Sequence, residues 1–456
     1  MKSATSSLIS RLLPDTATFS HDGILHIANY SVSDLVQWYG TPLYIFDRAT
    51  IVNTCTSYMR AFQEFYHASS FEILYASKAY LSPLLAQLVA QQGMGLDVVS
   101  GGELMVAKYA DVPMARISFH GNNKSEDELR LALKLGVGRI VLDNWNELER
   151  LTRIAHEMKH QPTVLLRVAP DINTDTHRYL QTGHAASKFG FPLGEDEAKA
   201  AILRIVGEGQ LRLSGLHAHN GTMLRDTRPY TESIRRLLLL AEDVYTEAQW
   251  WPQEISPGGG WAVDTPENAS TPGIETLAQA LHSSMVHGLS TIDTALPSPA
   301  LITEPGRSII ARAGVAVYRI GARKPTPGGI TYLFVDGGMA DNIRPALYGA
   351  HYTAVAVERA FAPLEETVCV AGRYCESGDV LIESVLLPRM REGDLLALPT
   401  AGAYCLPMAS NYNLVPRSAV LLVDEGSVQV MERRETYADI VSRYQDFDRD
   451  RGNTSL

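Results

Sequence analysis

Eight short apolar segments follow one another between residues 71 and 307, and polar residues collect at their C-terminal ends. Helical stretches separate the segments. Eight strands that alternate with helices predict a closed parallel β/α barrel, in which one rim collects the C-terminal ends of the strands and carries the active site. The predicted strands are Glu72–Ser77, Leu96–Val99, Arg116–Phe119, Arg139–Leu142, Thr163–Val168, Leu213–Ala218, Gln253–Ser256 and Ala300–Thr303.

The connecting segments carry signals for the start and the end of helices. Ser125 followed by Glu128 matches the capping-box pattern, and Gly136 supplies a C-terminal stop. The stretch Ser82–Gln92 has apolar residues at helical spacing behind a serine that can cap it. The leucine-rich stretch Thr227–Trp250 predicts the longest helix.

After Arg307 the pattern changes to short β-branched and apolar runs separated by turn residues, which predicts a second, mostly antiparallel β domain. The strand-like stretch Asp22–Ala28 precedes the barrel, and we expect it to join the C-terminal sheet. We therefore predict an α/β protein with a barrel over residues 42–310 and a discontinuous β domain over residues 1–41 and 311–456. The strands predicted in the second half are Ala311–Ile320, Ile330–Val335, Thr353–Val357, Thr367–Ala371, Val380–Leu386, Asp394–Leu398 and Ala419–Val423.

Charge and cysteine content restrict the class of partner and the compartment. A formal net charge of −11 argues against a nucleic-acid or anionic-membrane partner, because no basic surplus meets phosphates. The four cysteines show no CxxC pair and no metal-ligand spacing, so we expect neither a disulfide framework nor a zinc site, and a cytoplasmic location. We see no signal-peptide pattern and no run of 18 apolar residues, so we expect no membrane association.

Three features at the predicted rim carry chemistry. Lys78 follows the first strand, where a lysine can form a Schiff base with an aldehyde; alone, it is more often a surface lysine. The glycines at 258–260 follow the seventh strand, where barrels commonly bind phosphate, although three glycines also make an ordinary flexible turn. Glu304 follows the eighth strand and can hold a pyridine nitrogen protonated, or can belong to an exposed Pro-Gly turn.

Two further residues have a possible functional role. His219 ends the sixth strand two residues after His217, so both side chains point to one face. The pair permits a metal site, but no third ligand at suitable spacing is evident; stacking on a flat cofactor ring and a structural role are the alternatives. Cys375 lies beside Glu376, which suits proton donation, although an isolated cysteine is more often a buried filler residue.

The lysine, the glycine triplet and the glutamate together specify one cofactor better than each does separately. An aldehyde bound to Lys78, a phosphate against the glycines and a ring nitrogen at Glu304 describe pyridoxal 5′-phosphate. We therefore expect this cofactor and no metal.

Ten motifs in the same order give the chain a specific resemblance. From about Thr41 to Tyr437 it resembles the diaminopimelate decarboxylases, within the fold-type III (alanine-racemase-like) pyridoxal-phosphate decarboxylases. CESGD and RPALYG favour this family over ornithine or arginine decarboxylases. The motifs are YASKAY (75–80), GLDVVSGGEL (95–104), HGNNKS (120–125), SKFGF (187–191), GLHAHNGT (215–222), GGG (258–260), EPGR (304–307), DGGMADNIRPALYGAHY (336–352), GRYCESGD (372–379) and GAYCLPMASNYN (402–413).

The resemblance implies pyridoxal-phosphate-dependent decarboxylation of meso-2,6-diaminopimelate to L-lysine and carbon dioxide. Lys78 would hold the cofactor, and Cys375 would return the proton. The family also implies a homodimer with shared active sites, into which the partner subunit's Cys375 reaches. The residues implied for the cofactor are Lys78, His219, Thr222, Gly258, Gly259, Gly260, Glu304, Gly306, Arg307 and Tyr404, and those for the substrate are Arg307, Arg344, Tyr348, Glu376 and Tyr404.

One departure from the family pattern leaves two other hypotheses open. The strand-six motif usually reads HIGS or HLGS, whereas Asn220 here supplies an amide in place of an apolar residue, and Thr222 keeps the hydroxyl. The alternatives are a related decarboxylase that acts on another amino acid, or on a carrier-bound or siderophore-type amino acid, and a catalytically silent binding relative. Retention of Lys78 and Cys375 argues against the silent relative.

Overall fold

The computed structural model describes residues 8–67, 70–172, 187–292 and 296–444. The chain forms two compact units. The first comprises the residues up to Asp15, Arg48–Ala313 and Thr400–Pro407, and the second comprises Thr16–Asp47, Gly314–Pro399 and the residues from Met408 on. Within the described ranges, no helix combines the length and the apolar content that a bilayer crossing requires.

Strands and helices are numbered in chain order. The strands are β1 (Thr18–Phe19), β2 (Leu25–Ile27), β3 (Tyr30–Ser31), β4 (Leu43–Asp47), β5 (Phe71–Ala76), β6 (Gly95–Val98), β7 (Ile117–Phe119), β8 (Arg139–Leu142), β9 (Thr163–Ala169), β10 (Phe191–Pro192), β11 (Arg212–His217), β12 (Glu254–Ser256), β13 (Ala300–Thr303), β14 (Gly314–Pro325), β15 (Thr331–Val335), β16 (Val355–Ala356), β17 (Glu366–Ala371), β18 (Val380–Leu387), β19 (Leu395–Leu398), β20 (Ala419–Asp424) and β21 (Ser427–Glu432). The helices include α1 (Val32–Tyr39), α2 (Arg48–Gln63), α3 (Pro83–Gln91), α4 (Gly101–Tyr109), α5 (Glu126–Leu135), α6 (Trp145–Glu157), α7 (Glu197–Glu208), α8 (Arg228–Ala248), α9 (Ile274–Ser290), α10 (Arg307–Ile310), α11 (Arg344–Tyr348) and α12 (Tyr437–Val441).

The first unit is a closed parallel barrel, as the sequence predicts. The strands β5 to β9 and β11 to β13 pair in the order β5-β6-β7-β8-β9-β11-β12-β13, and β13 pairs with β5 to complete the ring. The short β10 adds to the end of β9. Because the strands are parallel, all eight C-terminal ends meet at one rim. Interior apolar side chains from four strands pack together, namely Leu74, Val141, Leu165 and Ile302.

The predicted start and end of α5 are confirmed. Ser125 accepts a hydrogen bond from Glu128 N, and the Glu128 side chain accepts one from Ser125 N, which is a capping box at the start of α5. Gly136 adopts the left-handed conformation that ends this helix. Asn144 caps α6 through Glu147 N. These caps hold the rim loops that precede the helices.

The opposite end of the barrel is closed by ionic contacts. Arg139, at the start of β8, lies 2.8 Å from a carboxylate oxygen of Glu72 on β5 and 2.5 Å from one of Glu254 on β12. Only 13% of the Arg139 side chain is exposed. One guanidinium therefore ties together strands that are not neighbours in the barrel wall.

The second unit is a mixed, mostly antiparallel sheet in the order β18-β17-β15-β14-β4-β20-β21, with β19 bonded to β14 and β16. The strand β4 pairs with β14 and β20, so residues 43–47 belong to this sheet and not to the barrel in which we expected them. The stretch Asp22–Ala28 was expected in the same sheet, and this was wrong. Its strand β2 pairs with β1 and β3 in a separate small sheet. The stretch still belongs to the second unit, and Leu25 N donates to Val357 O at 2.8 Å.

A buried ion pair stabilises the rim between β7 and α6. Lys124 Nζ donates to Glu147 Oε1 at 2.6 Å, to Gly121 O at 2.7 Å and to Val141 O at 2.8 Å. Both charged side chains are 1% exposed. All three protons of the ammonium group are therefore used, which is the condition under which a buried charge is tolerated.

We expect Glu147→Gln to destabilise the barrel unit by about 3 to 5 kcal/mol, because it leaves the buried ammonium of Lys124 uncompensated. Differential scanning calorimetry measures the loss as a lower unfolding temperature. The control is Arg235→Ala, which removes an exposed partner of Glu232 and should cost at most about 1 kcal/mol. Equal unfolding temperatures for the two variants would contradict the role of the buried pair.

Candidate active site

A pocket in the first unit brings together most of the residues singled out in the sequence. Nine of the ten residues predicted to bind the cofactor line it, and Gly258 is the one that does not. Ala76 and Trp261 line it too, and neither was predicted as a site residue. The pocket residues are Ala76, Lys78, His219, Thr222, Gly259, Gly260, Trp261, Glu304, Gly306, Arg307 and Tyr404.

Lys78 sits in a single 3-10 turn, Ser77–Ala79, directly after β5. Its Nζ donates to Asp97 Oδ2 at 2.7 Å, and 39% of the side chain is exposed while Asp97 is fully buried. Burial of the amine lowers the pKa of Lys78, but the charge and hydrogen bond of Asp97, together with Tyr404 and Glu304, outweigh this and raise the pKa above its usual value. The sequence did not reveal Asp97, since nothing in the GLDVV stretch distinguishes it from a strand-end aspartate.

The glycine triplet allows three loops to meet at backbone distance. A Cβ added to Gly259 would lie 1.9 Å from Glu304 O, and one added to Gly260 would lie 2.0 Å from Gly221 O. Gly260 also has a φ of +102°, which L side chains rarely adopt. The loops after β11, β12 and β13 are therefore packed so closely that no side chain fits between them.

The same triplet orients His219. Gly259 N donates to His219 Nδ1 at 3.3 Å, so the neutral ring carries its proton on Nε2. Burial and the positive charge of Lys78 hold the pKa of His219 well below its usual value. His219 is therefore a neutral, flat ring with fixed orientation at the pocket wall.

Glu304 is held by three side chains. Its carboxylate oxygens lie 3.0 Å from His217 Nε2, 3.1 Å from Ser256 Oγ and 3.5 Å from His120 Nε2. Burial by itself raises the pKa of Glu304, but His217 and His120 outweigh it and lower the pKa to about 2. The carboxylate is thus ionised at neutral pH inside a pocket that otherwise disfavours charge.

Two further candidate metal ligands lie close to His217, but His219, the other histidine of the predicted pair, is not among them. Ligand atoms of His120, His217 and Glu304 all lie within 4.8 Å of one another, which is a donor set that can bind a cation. The sequence did not reveal this donor set, because its three residues stand at the ends of three different strands. The hydrogen bond between His217 and Glu304 accounts for their contact.

Arg307 and Tyr404 form another wall of the pocket. The guanidinium carbon of Arg307 lies 4.6 Å from the centre of the Tyr404 ring, a cation–π contact. Tyr404 N donates to Ala79 O at 2.7 Å, which ties this wall to the turn that carries Lys78. A Cβ on Gly306 would lie 2.9 Å from the Ala76 Cβ, so Gly306 also permits a close approach.

The other predicted site residues lie in the second unit. Arg344 and Tyr348 are on α11, with the guanidinium carbon 5.8 Å from the Tyr348 ring centre, and Arg344 Nε donates to Tyr352 Oη at 3.1 Å. Cys375 carries an exposed free thiol in the turn between β17 and β18, and Glu376 follows it.

Asn220, the departure from the family pattern, is buried, and its side-chain amide is engaged outside the cofactor pocket. Its Nδ2 donates to Pro229 O at 2.9 Å and to Ser233 Oγ at 2.7 Å, both on α8. The residue joins the pocket loop to the helix that follows it, and it is not among the pocket-lining residues. The amide therefore has a structural explanation.

Comparison with known proteins agrees with this geometry. Residues 48–311 match the family model described as "Pyridoxal-dependent decarboxylase, pyridoxal binding domain". The chain belongs to this family. A diaminopimelate decarboxylase of Bacillus subtilis is 39% identical over 94% of this chain and 97% of its own length, and one of Synechocystis is 38% identical over 96% and 94%. The crystal structure of the diaminopimelate decarboxylase of M. jannaschii has a TM-score of 0.88 at 31% identity, covering 95% of this chain and 98% of that chain.

We expect Asp97→Asn to lower the pKa of Lys78, because it removes the carboxylate charge 2.7 Å from Nζ. More Lys78 is then neutral amine, the form that attacks an aldehyde, between about pH 6 and 9. Stopped-flow absorbance of apo-protein mixed with pyridoxal 5′-phosphate should show the pH midpoint of loading shifted to lower pH. Asp111→Asn, at an exposed position, is the control. An unchanged midpoint in Asp97→Asn would contradict the role of Asp97.

Proposed function

We propose that this protein is a pyridoxal-phosphate-dependent carboxy-lyase that converts meso-2,6-diaminopimelate to L-lysine and carbon dioxide. The observation that carries the proposal is the convergence of Lys78, the glycine triplet and Glu304 in one pocket. Relatives named diaminopimelate decarboxylase, with 36 to 39% identity along nearly the whole chain, support the substrate. A solved relative from M. jannaschii in complex with L-lysine supports the product.

The pocket residues fit the cofactor by type and by placement. Lys78 supplies the amine for the aldehyde, and His219 supplies a neutral ring to lie on the pyridine. Gly259 and Gly260 line the pocket without side chains, which would let their backbone amides approach a phosphate closely. The residues that we assign to the phosphate are Thr222, Gly258, Gly259, Gly260, Gly306, Arg307 and Tyr404.

Glu304 has the charge that the chemistry requires. Pyridoxal phosphate, when bound, accepts the electron pair that the departing carboxylate leaves, and it does so best with a protonated ring nitrogen. An ionised Glu304 favours that proton by adjacent opposite charge. His217, Ser256 and His120 keep Glu304 ionised and fixed in place.

The substrate has a distal amino-acid end that survives in lysine, and we assign its recognition to two arginines, two tyrosines and Glu376. Arg307 and Arg344 suit the distal carboxylate, because a guanidinium binds carboxylate in a fork. Tyr348 and Tyr404 lie against these arginines, and Glu376 suits the distal ammonium. Cys375 then returns a proton to the carbon that lost carbon dioxide.

We further propose a homodimer in which the partner subunit's Cys375 completes each site, and a cytoplasmic location. The exposed position of the thiol supports its availability to a second chain. None of the four cysteines forms a disulfide, which is typical of a reducing compartment. Asn220 was the reason to consider a different substrate, and its bonds to α8 remove that reason.

We expect Lys78→Ala to abolish the absorbance band of the bound cofactor and nearly all release of carbon dioxide, because the covalent link is lost. The control Lys134→Ala removes an exposed lysine and should behave as wild type. Carbon dioxide release is measured on meso-diaminopimelate, ornithine, arginine and lysine. Wild-type protein that loads the cofactor but does not turn over meso-diaminopimelate would reject the proposed substrate.

We expect inactive Lys78→Ala and Cys375→Ala subunits to regain activity when mixed, because half of the randomly formed dimers hold one intact site of two. The recovery should be about one quarter of wild type for a twofold dimer at equal amounts. Mixing Lys78→Ala with the Lys78→Ala/Cys375→Ala double variant is the control and should give no recovery. No recovery in the test mixture, after verified subunit exchange, would show that each site is formed by one chain.

A further inference from the structure

The turn that carries Cys375 and Glu376 is folded around the side chain of Asp379, for which the proposed function gives no role. Asp379 is 3% exposed. Its Oδ2 accepts a hydrogen bond from Tyr374 N at 2.8 Å, and Asp379 N donates to Glu376 O at 3.1 Å. Gly372 N donates to Asp379 O at 2.9 Å. The carboxylate therefore closes a loop whose middle is the exposed Cys375.

The other oxygen of the same carboxylate binds a second loop. Asp379 Oδ1 accepts from Met339 N at 2.6 Å. Met339 belongs to the loop 336–343, which leads directly into α11 with Arg344. In that loop Asn342 N donates to Gly338 O at 2.9 Å. One buried carboxylate thus joins the loop that carries the thiol to the loop that leads to the substrate-binding arginine.

Two glycines make this arrangement possible. A Cβ added to Gly372 would lie 2.2 Å from Asp379 Oδ2, and one added to Gly338 would lie 2.4 Å from Asp379 Oδ1. Gly338 also has a φ of +152°. Both backbones approach the carboxylate more closely than any residue with a side chain would allow. Arg373 N also donates to Gly337 O at 3.1 Å, so the two loops pack against each other at this point.

The sheet of the second unit anchors the whole assembly. Asp341 Oδ1 accepts from Gly338 N at 2.8 Å, and its Oδ2 accepts from Tyr318 Oη on β14 and, at 3.3 Å, from Tyr44 Oη on β4. The tyrosines come from adjacent strands of the sheet. The loop that Asp379 grips is therefore itself fixed to rigid structure.

Asn413 supplies an independent contact on the other side of the turn. Its Oδ1 accepts from Cys375 N at 3.0 Å, and the ring centres of Tyr374 and Tyr412 lie 6.0 Å apart. The amide groups of Tyr374 and Cys375 thus each donate to a side-chain oxygen, one of Asp379 and one of Asn413.

We propose that Asp379 is a positioning residue for catalysis, which fixes the turn with the Cys375 thiol and the Glu376 carboxylate against the loop 336–343 through its two backbone contacts. This inference rests on the proposed roles of Cys375 and Glu376 in diaminopimelate decarboxylation. Asp379 touches no reacting atom. It acts by holding two loops at a fixed separation.

The test compares Asp379→Asn and Asp379→Ala with the matched control Asp394→Ala. Asp394 is also in the second unit, and its Oδ2 accepts from Arg391 N at 2.7 Å in a turn between β18 and β19. We expect kcat to fall roughly 100-fold in Asp379→Ala and about 10-fold in Asp379→Asn, which keeps one acceptor oxygen. The absorbance of bound cofactor should stay at the wild-type value, because Lys78 lies in the other unit.

A stereochemical readout separates positioning from simple destabilisation. In heavy water, the carbon that loses carbon dioxide gains one deuterium, and a fixed thiol delivers it to one face. We expect a single deuterium configuration in the lysine formed by wild type and by Asp394→Ala, and a mixture of configurations in both Asp379 variants. Should Asp379→Ala not fold, Asp379→Asn gives the same test. Wild-type kcat and one configuration in a folded Asp379 variant would overturn the inference.

A second readout does not depend on the proposed reaction. The rate constant for alkylation of Cys375 by iodoacetamide, followed by mass spectrometry without substrate, should change in the Asp379 variants and not in Asp394→Ala. Identical rate constants in all four proteins would overturn the inference. Full activity and one deuterium configuration in Cys375→Ala would instead reject the proposed proton donor, while the alkylation rates would still test the effect of Asp379 on the turn.

Discussion

Closure of the eight-stranded parallel barrel is the constraint on which the site depends. The pairing of β13 with β5 places the residues after the first and last strands side by side, although more than 200 positions separate them in the sequence. Lys78 and Glu304 meet in one pocket for this reason alone. Arg139 reinforces the closure at the other end by bridging Glu72 and Glu254. An open sheet with the same residues would not form the site.

Within the closed barrel, two charged groups have opposite surroundings. Lys78 faces the carboxylate of Asp97 and is partly exposed, whereas Glu304 is buried among His217, Ser256 and His120. Each charge is thus met by a partner that stabilises it, and burial strengthens these contacts by excluding water. The glycine triplet brings the loops together closely enough for these partners to reach one another.

The sequence predicted the barrel strands to within one or two residues, because short apolar runs bounded by caps and turns are local signals. It predicted no strand at Leu43–Asp47 and placed these residues in the barrel domain, whereas β4 is a central, fully buried strand of the mixed sheet. Nine of the ten residues assigned to the cofactor came together, because they stand in motifs. Asp97, His120 and His217 were missed as partners, since contacts between the ends of different strands leave no pattern in any one segment. Asn220 stood out only as a departure from the family motif, and the sequence did not show that its amide bonds to α8.

The close approach at Gly259 has a consequence for attempts to redesign the protein. A methyl group there would lie 1.9 Å from the carbonyl oxygen of Glu304. Even the smallest side chain at this position therefore requires the backbone on that side of the pocket to move. Substitutions that enlarge the pocket or change its polarity must therefore be made at other positions of its wall.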